Sequence, residues 1–157
     1  MATPAPARQR LDRLRDSALT DDIEFLNARA RALGSATFNR LLEPLGLRVR
    51  SYSVLACACG GLAPTQRQLA DFLRLDPSQI VSLVDELESA GLVRREVDPA
   101  DRRSKIIVAT DRGEEVYLVA QRAAREAEDS ALAPLSAAER DQLRALMRRV
   151  AFPDDED

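Results

Sequence analysis

Two helix-start signals fall close together near the middle of the 157-residue chain and limit its possible folds more than any other feature. Thr65-Gln66-Arg67-Gln68 has the form of a capping box. In such a box the threonine hydroxyl accepts from the amide of the fourth residue, and that residue's side chain reaches back to the threonine amide. Asp76-Pro77-Ser78-Gln79 repeats the logic: Asp76 caps, and Pro77 takes the first helical position, where a missing amide is harmless. The first signal opens a helix with Leu69, Phe72 and Leu73 inside. The second opens one whose apolar stripe is Ile80, Leu83, Val84 and Leu87, closed by Gly91. Only Arg74 and Leu75 separate the body of the first helix from the cap of the second, so the pair must turn sharply, as a helix-turn-helix does.

Directly after Gly91 the period changes from helical to two. Val93, Arg95 and Val97 alternate with Arg94 and Glu96. Asp98 to Ser104 then forms a polar turn, and Lys105 to Ala109 returns as an apolar strand. The result is a hairpin with a charged tip. A helix-turn-helix followed by such a hairpin is the winged variant, whose second helix can enter a major groove while the wing reaches the neighbouring minor groove.

The net charge of -3 looks unsuited to a nucleic-acid binder until it is divided along the chain. Residues 1–45 carry seven basic side chains against six acidic, residues 46–113 ten against nine, and residues 114–157 six against eleven. Within the middle section the run from Arg94 to Lys105 gathers five basic residues against three acidic ones. A local basic patch on an acidic protein fits contact with DNA at a defined surface. The chain has no histidine, which removes the commonest general base and metal ligand. No Gly-rich phosphate loop or metal-ligand cluster stands in for it, so the expectation is a protein that is not an enzyme and uses no cofactor or metal. Cys57 and Cys59 cannot build a disulfide framework or a four-ligand zinc site. No stretch approaches the roughly 18 apolar residues of a membrane span, so a cytoplasmic location is expected.

The flanks read as helices. Thr20 or Asp21 can cap a long first helix in which Leu26, Ala30, Leu33, Thr37 and Leu41 recur at helical steps until Pro44 and Gly46 end it. A short second helix runs from about Arg50 to Cys59. After the wing, Val116, Val119, Ala120, Ala123 and Ala127 give a long fifth helix a narrow small-residue face. Ser136 to Glu139 caps a sixth, with Leu143, Leu146, Met147 and Val150 on one side. These helices hold more apolar stripe than the winged domain can cover, and a second copy of the chain is the simplest cover. The expected organisation is a flexible or partly helical extension over 1–18, a dimerisation helix over 19–45, a winged helix-turn-helix over 46–113, C-terminal dimerisation helices over 114–152 and an acidic tail over 153–157.

From Leu45 to Gly113 the sequence resembles the MarR family of winged-helix regulators, through LGLRVRSYSVL, PTQRQLADFLRLDPSQIVSLVDELESAGLVRRE and DPADRRSKIIVATDRG. The resemblance implies a mainly α fold with a small β-hairpin wing and a homodimer with interlocked terminal helices. It also implies a palindromic double-stranded DNA operator, repression, and release by a small-molecule effector or an oxidant. Ser78, Gln79 and Ser82 fall on the polar side of the fourth helix near its start, where a recognition helix meets bases and phosphates. Thr65 and Gln66 are candidates for backbone phosphate contacts. In the wing the family's Asp-x-Arg falls on Asp101 and Arg103, so Asp101 is expected to brace the loop while Arg103, or Arg102, enters the minor groove. The family's effector pocket suggests Phe38, Arg48, Tyr52 and Tyr117. Two features cut across this reading: the fourth helix is acidic, with Asp85, Glu86 and Glu88, and Ser82 stands where the family commonly has a basic residue. The alternatives are a winged helix used for protein contact and a regulator sensing oxidants through Cys57 or Cys59.

Overall fold

The computed structural model describes residues 12–153. Residues 12–15 are helical and lead through a 3-10 turn, Ala18–Asp21, into α1 (Ile23–Leu42). A second 3-10 turn, Glu43–Leu45, joins α1 to α2 (Val49–Ala58). Then follow α3 (Gln66–Leu73), α4 (Pro77–Ser89), β1 (Val93–Val97), β2 (Lys105–Ala109), α5 (Asp111–Ala131) and α6 (Ala137–Ala151). The chain is thus mainly helical with one antiparallel hairpin, the expected fold class. The expected extension over 1–18 and tail over 153–157 fall largely on residues outside those described. No helix among the described residues is long and apolar enough to cross a membrane.

The core lies where α2, α3, α4 and the hairpin meet. Leu42, Leu55, Leu69, Ile80, Val84, Leu87 and Ile107 are buried there, and a fully buried side chain of this size contributes roughly 1.5–3 kcal/mol. The stripe read on α4 is the face it buries, with Leu83 half-buried at its edge. The α3 capping box forms in both directions: the Gln68 amide donates to Thr65 Oγ1 at 3.2 Å and the Thr65 amide donates to Gln68 Oε1 at 2.8 Å. Between the helices Arg74 takes a left-handed conformation, φ 52°, which closes α3 and redirects the chain into α4.

Four local expectations are corrected. Asp22, not Thr20 or Asp21, caps α1, accepting from the Phe25 amide at 2.8 Å; the 3-10 turn uses Thr20 and Asp21 before the helix begins. Asp76 occupies the N-cap of α4, but its side chain accepts no capping hydrogen bond. Its carbonyl instead takes the amides of both Gln79 and Ile80, so the main chain closes the turn that Pro77 pre-sets. Phe72 is 61% exposed rather than inside, because the core side of α3 is already filled by Leu69 and Ala70; its ring stacks on Phe152, 6.0 Å away. Val119 is exposed, while Ala120 and Ala127 are buried against the core side and α1.

The hairpin pairs Val93 with Ala109, Arg95 with Ile107 and Val97 with Lys105. It is anchored to the start of α3: the Ile107 amide donates to the Pro64 carbonyl at 2.9 Å, and Thr65 bridges to Ile106. At the return into α5, Thr110 caps the helix by accepting from the Gly113 amide and donates its hydroxyl to the Gly91 carbonyl at 2.7 Å. Gly113 lies so close to the Leu92 carbonyl that a Cβ there would stand 2.0 Å from its oxygen.

Candidate nucleic-acid interface

The helix-turn-helix places α4 on the outside of the head with its first turns open. Ser78 and Ser82 are exposed and Gln79 is half-buried; the Ser82 hydroxyl donates back to the Ser78 carbonyl at 3.2 Å. Val81, 44% exposed on the same stretch, adds an apolar group able to meet a thymine methyl. Arg50, in the first turn of α2, joins Ser78, Gln79, Ser82 and Leu83 in lining one open recess of about 320 Å³. Sequence reasoning missed Arg50 because only the approach of α2 to α4 brings it there. It is exposed and forms no ion pair among the described residues.

The wing tip is held by its own aspartates. Asp101 accepts from the Arg103 amide at 3.0 Å and from the Ser104 hydroxyl at 2.9 Å, and Asp98 accepts from the Ala100 amide at 2.8 Å. Arg102 and Arg103 are left exposed without an ion pair among the described residues. A hydrogen-bonded turn carrying two exposed guanidinium groups is a suitable shape for gripping a phosphate-lined groove. Thr65 is committed to its cap, with its hydroxyl also donating to Gln68 Oε1 at 3.1 Å. Gln66 is half-buried, and its carbonyl accepts from Arg95 Nε at 3.3 Å.

Of the expected effector residues, three come together. Phe38 meets Tyr52 edge-on at 5.0 Å, and Tyr52 stacks on Tyr117 at 5.9 Å. Burial, reinforced by Tyr117, raises the Tyr52 phenol above its ordinary range, with Arg125 opposing. Arg48 lies apart from this ladder. It lines a cleft of about 690 Å³ between α1, the start of α2 and α4, along with Arg31, Asn39, Arg50, Ser51 and Glu86. Cys57 and Cys59 do not have the environment of reactive thiols. Burial raises both, and for Cys59 burial, the charge of Glu114 and a hydrogen bond to it push the thiol up to about 12. No group of His, Cys, Asp or Glu among the described residues could hold a metal ion.

Comparison with known proteins agrees with this architecture. Residues 45–104 match the sequence profile of the MarR family. The chain is 43% identical to a MarR-family transcriptional regulator from Rhodococcus sp. RHA1, over 87% of this chain and 97% of that one, with a TM-score of 0.82. It is 42% identical to CouR from Rhodococcus jostii RHA1 in its structure bound to p-coumaroyl-CoA, over 90% and 99% of the two chains, at a TM-score of 0.81. A structure of the transcriptional repressor CouR on a 23-mer DNA duplex is 28% identical, over 85% and 94%, at a TM-score of 0.77.

Proposed function

The chain belongs to the MarR family of transcriptional regulators, and from that premise we propose that it is a homodimeric repressor that binds a palindromic DNA operator and is released by an anionic small molecule. The observation that carries the DNA-binding part is the pairing of an open α4 edge, Ser78, Gln79 and Ser82, with a wing tip whose Arg102 and Arg103 are free while Asp101 braces the loop. Two such heads related by twofold symmetry would set two α4 helices in successive major grooves about 10 base pairs apart.

Dimerisation is supported by apolar surface that one chain leaves bare. Ile23 is 83% exposed, Leu33 63% and Val150 77%, and Leu26, Leu143, Leu146 and Met147 are exposed with them. All lie on α1 and α6, outside the winged head of residues 46–113. Residues 19–45 and 114–152 are therefore assigned to subunit pairing and residues 46–113 to DNA. The effector is assigned to the cleft between α1 and α4, where Arg31, Arg48 and Arg50 line one wall. A carboxylate or phosphate fits three guanidinium groups, and an aromatic acyl-CoA thioester, the class of ligand that the similar CouR carries, combines such anions with an apolar end.

The test is fluorescence anisotropy with the DNA upstream of the gene for this protein. Binding should be tight and salt-sensitive. The double variant Arg102→Ala/Arg103→Ala should weaken it at least about tenfold and flatten the slope of log Kd against log salt by about one for each phosphate no longer neutralised. Unchanged binding in that variant removes the wing from the mechanism, and a monomer by light scattering at micromolar concentration removes the two-headed geometry.

A further inference from the structure

The acidity of α4 is at odds with a helix that meets DNA, and the structure shows where part of that charge goes. Arg95, on β1, turns its side chain back over α4 and is only 17% exposed. Its Nη2 donates to Asp85 Oδ1 at 2.5 Å and its Nη1 donates to Glu88 Oε2, while the Arg95 amide donates to Glu88 Oε1 at 3.1 Å. The remaining edge, Nε, donates to Gln66 Oε1 at the start of α3, at 3.3 Å. One planar group therefore ties β1 to both helices of the helix-turn-helix. Burial alone would favour loss of its proton, but the hydrogen bonds to Asp85 and Glu88 outweigh it and hold the guanidinium more firmly charged than usual. The neighbouring Arg94 has no such role, since its partner is Glu96 on the same strand.

We propose that Arg95 is a positioning residue for DNA binding: it clamps the wing to α4, takes up the charge of Asp85 and Glu88, and fixes the amide of Gln66, without itself touching DNA. The inference rests on the DNA-binding reading above. Three physical points carry it. A guanidinium is a rigid fork that can satisfy several acceptors at once, which the ammonium of lysine cannot copy in the same geometry. The base of the hairpin is seated by the buried Val93 and Ile107 and by the Pro64–Ile107 and Thr65–Ile106 links, and the Arg95 clamp adds a polar tie from β1 to the outer side of α4. An arginine can only donate, so the Gln66 atom facing Nε is the carbonyl oxygen and its amino group is left turned away, available to a phosphate. Each of the three nitrogens already donates to a protein acceptor, which leaves two of the five N–H groups uncommitted, so the salt slope of binding is what separates a clamp from a phosphate contact.

The test has two arms, both on the full chain. In the DNA-free protein, amide hydrogen exchange over 93–104 is compared between wild type, Arg95→Ala, Arg95→Lys and Asp85→Asn/Glu88→Gln. The clamp predicts exchange at least about tenfold faster in Arg95→Ala and in the double carboxamide variant, an intermediate rise in Arg95→Lys, and no change in α1 or α5. Anisotropy on the upstream duplex then predicts at least about tenfold weaker binding for Arg95→Ala with the salt slope unaltered. A salt slope lower by about one would make Arg95 a direct phosphate contact and overturn the proposal. Unchanged wing exchange in the double carboxamide variant, which keeps the arginine, would overturn it equally and does not depend on Arg95→Ala folding. Failure of the wild type to bind the duplex would instead sink the DNA reading, while the exchange arm would still decide whether the clamp exists.

Discussion

Gly113→Ala is the sharpest test of how the wing is joined to α5. A Cβ at this position would lie 2.0 Å from the Leu92 carbonyl oxygen and 3.0 Å from its carbon, whereas real Cβ atoms do not approach closer than 3.0 Å to anything. The oxygen and the helix must separate by at least 1.0 Å, the difference between those two distances. The obstacle is backbone, so no side-chain rotation relieves it. That separation stretches the bond from the Thr110 amide to the Leu92 carbonyl, now 3.0 Å, and strains the adjoining link from the Thr110 hydroxyl to Gly91. Overpacking of this kind costs about 1–3 kcal/mol, and each disturbed hydrogen bond adds about 0.5–1.5 kcal/mol. The expected loss is therefore about 2–6 kcal/mol, a large share of the roughly 5–15 kcal/mol that holds a domain folded. Equilibrium unfolding in urea, followed by far-UV circular dichroism at a fixed protomer concentration, reads it as a lower midpoint with an unchanged slope. If contact with Leu92 did not matter, replacing glycine by alanine in a helix would stabilise by up to about 1 kcal/mol. The sign alone then decides: a variant within about 0.5 kcal/mol of wild type, or above it, refutes the reasoning.

Gly34→Ala should do the opposite, because a Cβ there meets only the Ala131 methyl at an ordinary 3.9 Å; α1 should gain roughly 0.5–1 kcal/mol in the same urea assay. Cys59, held up to about 12 against an ordinary 9.0 chiefly by burial, should have on the order of a thousandfold less thiolate than a free thiol below pH 9, so iodoacetamide at pH 8 should leave it unlabelled in the folded protein. The linked stability has a definite sign. The native thiol keeps its proton where the unfolded one loses it, so this contribution is complete below about pH 9 and is lost as pH rises from there toward 12, which unfolding midpoints at pH 8 and 10.5 in wild type and Cys59→Ala would show.

The parts of the fold that the sequence disclosed are those held by neighbours in the chain. The Thr65–Gln68 box, the proline at the head of α4 and the two strands on either side of the wing tip depend on contacts a few residues apart, so composition and spacing contain them. Asp101 belongs with these, because its partners, Arg103 and Ser104, lie two and three residues on. Phe72 fails for the complementary reason: periodicity marks it as apolar, but which apolar residue of a short helix faces inward is decided by what fills the core opposite. Arg50 and Arg95 carried no local sign of their position, since their partners come from α4 and α3, far along the chain. In principle the spacing of Asp85 and Glu88, one turn apart on the side facing the strand, pointed to a cation in β1, but the sequence offered both Arg94 and Arg95.

The acidic count of α4 loses its force as an objection to DNA binding once each carboxylate is placed. Asp85 and Glu88 are held by Arg95 on the wing side, and Glu86 lines the cleft that also contains Arg31, Arg48 and Arg50. What remains toward the open edge is uncharged, Ser78, Gln79 and Ser82, with Arg50 to one side and the wing arginines on the hairpin. A phosphate near that edge would meet cations supplied by α2 and the wing rather than by the helix being read. In the proposed interface the absence of a basic residue at Ser82 would shift attraction for the DNA backbone onto neighbouring elements and leave α4 to discriminate among bases through neutral hydrogen bonds and Val81. The proposed interface thus predicts a salt dependence of binding that comes from Arg50, Arg102 and Arg103 and a sequence preference that comes from α4. Substituting Ser82 should accordingly change which duplex is preferred far more than it changes the response to salt.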